Sequence, residues 1–133
     1  MITVQTTVNA PIEKVWEYWT QPKHIMQWNH ASDDWHCPRA SNDLMVGGKF
    51  NFTMASKEGA MSFDFEGEYS RIKEFSLIEY HIIGGRKVII NFEETKNGVK
   101  VTESFEPEEV NSHELQKNGW QAILDNFKKH TES

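Results

Sequence analysis

Between Lys49 and Phe105 the bulky apolar residues recur at every second position, and glycine-containing turns interrupt the run. Phe50, Phe52 and Met54 alternate with Asn51 and Thr53, and Met61, Phe63 and Phe65 alternate with Ser62, Asp64 and Glu66. Successive side chains of a strand point to opposite faces, so each stretch predicts a strand with one buried face. Further strands are predicted at Leu77–Ile83, Lys87–Glu93 and Val99–Phe105, with reversals at Lys57-Glu58-Gly59, Gly84-Gly85 and Asn97-Gly98. Gly67 reads as a β-bulge that bends its strand before Tyr69 and Ile72. Such a series of hairpins confines the chain to a curved antiparallel meander with one face to cover.

The flanking segments supply the cover. Residues 2–9, rich in Val, Thr and Ile, predict a first strand, and Asn9-Ala10-Pro11 starts a helix. Ile12, Val15, Trp16 and Trp19 make one apolar face of that helix, Pro22 breaks it, and a second short helix carries Ile25, Met26 and Trp28. After Pro107, Asn111 or Ser112 caps a last helix reaching about Lys129, and Asn111 with Glu114 resembles a capping box. Its stripe is Leu115, Ala122, Ile123 and Phe127, widened by Trp120 and Leu124. The concave face of the sheet is the surface large enough to bury it. Residues 29–48 are polar and read as a long ordered loop or a short irregular strand.

With 133 residues, 38% of them hydrophobic and with no internal linker, the chain reads as one domain over residues 1–133. The net charge of −6 and the scattered Lys and Arg lack the basic stripe that nucleic acid requires, and the same balance argues against an anionic membrane surface. No apolar run approaches the ~20 residues of a membrane span. The single cysteine allows no internal disulfide, and the strand-like first residues lack the pattern of a signal peptide. A cytoplasmic location is expected.

The order of strand, two short helices, antiparallel meander and long C-terminal helix resembles the START-like (SRPBCC) helix-grip superfamily, an α+β fold. Ala10-Pro11 with Val15-Trp16, Trp28, Asp43-Leu44 before Gly47-Gly48-Lys49-Phe50, Phe65-Glu66-Gly67-Glu68-Tyr69 and Gly119-Trp120 are similar to the family related to the C-terminal domain of the activator of the 90-kDa heat-shock protein ATPase. The resemblance covers essentially the whole chain. It implies a helix gripped by a curved sheet. The superfamily includes ligand carriers, cyclases and co-chaperone domains, so the fold alone does not select among them.

Three sets of residues carry chemistry. The first is His24, His30, Asp33, Asp34, His36 and Cys37, whose spacing matches no standard metal motif, so neither metal nor cofactor is expected. It reads as a polar loop at a cavity mouth, with His36 as reader or proton carrier and Cys37 as a buried structural thiol rather than a nucleophile. The second is Glu103, in phase with Val99, Val101 and Phe105, which either points inward with a raised pKa or reaches water at a bulge or an open end. The third is an aromatic group around a gap between helix and sheet. The expected ligand-contacting residues are Trp28, Trp35, His36, Phe52, Phe63, Phe65, Tyr80, Glu103, Trp120 and Ile123.

The leading expectation is a binding domain for a small apolar or aromatic molecule. The alternatives are a cyclase- or hydrolase-like enzyme using His36, Glu103 or Asp34, and a co-chaperone-like protein-binding domain. Chaperone contact and a homodimer are the further partner arrangements considered. Gly119, mid-helix, either lets the helix approach the sheet or leaves space for a ligand.

Overall fold

The computed structural model describes residues 1–133. The elements are β1 (Ile2–Val8), α1 (Ile12–Thr20), α2 (Pro22–Trp28), β2 (Trp35–Asn42), β3 (Lys49–Ser56), β4 (Ser62–Lys73), β5 (Leu77–Ile82), β6 (Lys87–Thr95), β7 (Gly98–Phe105) and α3 (His113–Glu132). One seven-stranded sheet runs in the order β1-β7-β6-β5-β4-β3-β2, every neighbouring pair antiparallel. The meander accounts for β2 to β7, and β1 closes onto β7 through the Ile2↔Phe105 to Val8↔Val99 register. The sheet curls into a half-barrel around α3, which is the helix-grip architecture.

The polar segment after α2 takes the second of its two expected forms, an irregular strand. Residues 35–42 form β2, an edge strand on β3 that pairs Trp35 with Ser56 and Asn42 with Phe50. Its sequence shows no clean alternation because the register shifts between His36 and Arg39, around Pro38, which has no N–H to give. Gly67 is not the bulge. The register of β4 shifts between Tyr69 and Arg71, while a Cβ on Gly67 would lie 2.6 Å from the Phe50 ring. Glycine is required there by close approach.

The core joins α1, α2 and α3 to the sheet. Phe127 is fully buried, with its ring edge-on to Trp19 at 4.8 Å and to Trp28 at 5.1 Å. Trp120 stacks on Phe105 at 3.9 Å with the planes 11° apart. Ser112 caps α3, its hydroxyl accepting from Leu115 N at 3.1 Å. Asn111 binds Glu108 Oε1 instead, so the expected capping box does not form. Leu115 is 59% exposed: Gln116, Trp120, Ile123 and Phe127 form the inward stripe, and Leu115 falls beside it. Side chains of α3 also satisfy edge carbonyls of β1, Gln121 donating to Gln5 O and Lys128 to Thr7 O.

Candidate functional site

Helix and sheet do not close on each other completely. A cavity of about 320 Å³ remains between them, and 12 of its 18 lining residues are hydrophobic. The sheet contributes Phe50, Phe52, Phe65, Tyr69, Ile78 and Tyr80; α3 contributes Trp120 and Ile123; Trp19 and Trp28 come from α1 and α2. The rings brace one another, Phe50 lying 4.9 Å from Phe52 and 4.8 Å from Tyr80, with Phe65 6.1 Å from Trp120. Ring pairs at these separations hold the walls in place. A wider hollow of about 690 Å³ lies around Gly67, but only 5 of its 15 lining residues are hydrophobic. The smaller cavity is the one suited to an organic ligand.

Polar groups occupy set places in the smaller cavity. Arg86, Glu108, Asn111, Gln116 and Asn29 line it, and the half-exposed Phe63 ring (53%) lies at its edge. Gln116 holds the loop after β7 in shape: its Oε1 accepts from Glu108 N at 2.9 Å, and its Nε2 donates to Glu108 O and Asn111 O. The Tyr69 hydroxyl is committed to Asn42 Oδ1 at 2.6 Å. The Asn29 amide is not committed, nor are two ionisable groups. Glu103 is 6% exposed and Tyr80 is 8% exposed, both line the cavity, and neither polar group has a protein hydrogen-bond partner or is sealed from the cavity. Burial pushes the Glu103 carboxyl up to about 8. Burial also holds the Tyr80 phenol well above its ordinary value, and the neighbouring Glu103 charge raises it further.

A family model for activator of Hsp90 ATPase homolog 1-like proteins matches residues 9–132. The chain belongs to this family. An AHSA1-like protein from Aeromonas hydrophila is 38% identical over 98% of this chain and 91% of its own, with a TM-score of 0.93. A protein from Cytophaga hutchinsonii is 57% identical over the same shares, with a TM-score of 0.85. A Chromobacterium violaceum protein at 20% identity and TM-score 0.89 shares the fold. No curated protein matches the chain.

In this AHSA1-like domain, eight of the ten expected contact residues line the cavity: Trp28, Phe52, Phe63, Phe65, Tyr80, Glu103, Trp120 and Ile123. Trp35 and His36 do not. They lie on β2, where Trp35 packs 5.9 Å from Phe63 outside the cavity and His36 pairs with Ala55. From the polar stretch 29–38 only Asn29 reaches the cavity. Asp34 is exposed and accepts from Ser32 at 2.6 Å, a bond that lowers its pKa. Cys37 is 2% exposed, burial pushes its thiol up to about 11, and it donates to Arg39 O. Ile123, expected to be buried, is half-buried because it faces the gap. Nothing lies within 4 Å of a Cβ built on Gly119, so the helix does not need glycine there to approach the sheet.

Sequence reasoning missed Arg86, Asn111, Glu108 and Gln116. The one available signal was Gln116, a polar residue four before Trp120 on the inward stripe.

Proposed function

We propose that this AHSA1-like domain binds a small apolar or aromatic molecule in the cavity between α3 and the sheet. The observation that carries the reading is Glu103: a buried carboxyl group with no protein partner, facing a space walled by aromatic rings. An unpartnered buried polar group destabilises a fold, so a ligand that completes it gives the arrangement a use. The expected ligand lies flat among Phe50, Phe65 and Trp120 with its polar end toward Glu103. Catalysis in the same cavity would rest on Glu103, because Asp34 and His36 lie outside it.

The test uses 1-anilinonaphthalene-8-sulfonate with the native protein, followed by its emission and by tryptophan quenching. One saturable site is expected, abolished by Ile123→Trp, which fills the gap with a larger apolar side chain. Binding that survives Ile123→Trp unchanged would place the probe elsewhere and sink the reading. The family match favours a second reading, a co-chaperone-like contact with another protein; Ile123→Trp, an interior change, would leave such a contact intact.

A further inference from the structure

Gln116 and Tyr69 are held by hydrogen bonds at the cavity wall, whereas the two ionisable groups near the middle of the sheet are not. Val88 of β6 pairs with Tyr80 on one side and Phe105 on the other, while Ile90 pairs with Ile78 and Glu103. Tyr80 and Glu103 thus stand on the two strands that flank β6, one step of register apart, and both line the cavity. Burial raises the Tyr80 pKa most, and the Glu103 charge raises it further. Both polar groups line the same aromatic space, and neither makes a hydrogen bond to the protein.

We propose that Tyr80 and Glu103 form a paired-donor subsite that holds an acceptor oxygen, a carbonyl or phenolate, of a small ring compound. This rests on the cavity being a ligand site. Two neutral donors lining one apolar cavity match an oxygen that carries, or develops, negative charge; a carboxylic acid kept neutral by its surroundings donates as a phenol does. The other charged or titratable groups facing the pair are Tyr69 on β4, Arg86 from the β5–β6 turn and Glu108 from the loop after β7. Tyr69 is occupied by Asn42, and Glu108 Oε1 accepts from Asn111. Arg86 remains as a cation at the cavity wall. The aromatic walls alone would also suit an organic cation, yet that ligand would need an ionised Glu103 and would meet the Arg86 charge. An acceptor oxygen meets neither obstacle. The volume, about 320 Å³, is at the small end for ligand cavities and fits a compact ring system.

Three compounds with one skeleton test this: 1-tetralone with a carbonyl, tetralin with no heteroatom and 1-aminotetralin with an ammonium. Affinities are read by calorimetry or by displacement of the fluorescent probe. Tetralone is expected to bind about tenfold or more tighter than tetralin, since a site built for a polar partner discriminates strongly against its absence. Tyr80→Phe and Glu103→Leu should each bring tetralone close to tetralin without weakening tetralin binding. Above about pH 8, where Glu103 loses its proton, tetralone binding by the native protein should weaken while tetralin binding does not. Glu103→Gln, whose amide still donates, should retain tetralone and lose that pH dependence. Equal binding of tetralone and tetralin overturns the subsite but leaves the cavity reading standing. Tightest binding of 1-aminotetralin shows an ionised carboxylate for cations and overturns it as well. If none of the three binds, the cavity reading fails and the subsite fails with it.

Discussion

Replacing Glu103 with Gln keeps the shape of the side chain and removes its titration, so the pH dependence of stability isolates this one group. Below about pH 4.5, the ordinary value, both folded and unfolded chains hold the proton. Between there and about pH 8 the folded protein keeps a proton that the unfolded chain has released. Raising the pH through this window therefore favours unfolding, by about 1.4 kcal/mol per pH unit. From pH 5 to pH 8 the native protein should lose on the order of 4 kcal/mol relative to Glu103→Gln, and less if water follows the charge into the cavity. His24, His30 and His130, whose pKa values burial lowers, act in the opposite direction. They are present in both proteins and cancel in the difference. Urea denaturation of both proteins at unit pH steps, read by circular dichroism, gives that difference directly. If the two stability curves run parallel within about 0.5 kcal/mol, Glu103 titrates near its ordinary value and the burial argument is wrong.

Two further outcomes follow from the packing. Phe127→Ala should cost about 3–5 kcal/mol on chemical denaturation, because it leaves a hole between Trp19 and Trp28 that rigid indoles cannot fill; a loss below about 1 kcal/mol would mean α3 is not gripped there. Cys37 should react with Ellman's reagent at pH 8 no faster than the protein opens, since its thiol is buried and protonated; modification at the rate of a free thiol would contradict its placement on β2.

What the sequence by itself determined is what depends on period and order. Alternation fixed the meander from β3 to β7 and put Glu103 in the inward phase with Val99, Val101 and Phe105, because a strand has only two faces. The apolar spacing of α3 fixed Trp120, Ile123 and Phe127 as inward, and the scattered family residues were enough to name the fold. Composition, however, marks residues that prefer water or chemistry without stating which way they point. Residues 29–48 suited either a loop or an irregular strand, with 29–38 as the cavity mouth, and the tertiary structure made 35–42 an edge strand on β3 with Trp35 and His36 outside the cavity. Gly67 read as a bulge, and the Phe50 ring on the paired strand made it a close approach instead. Gln116, Arg86 and Asn111 come from a helix, a turn and a loop whose meeting no local pattern records. For Glu103 the strand phase gave direction only. That it meets no partner, and lies beside Tyr80 rather than water, is set by strands distant in sequence and by a helix that stops short of the sheet.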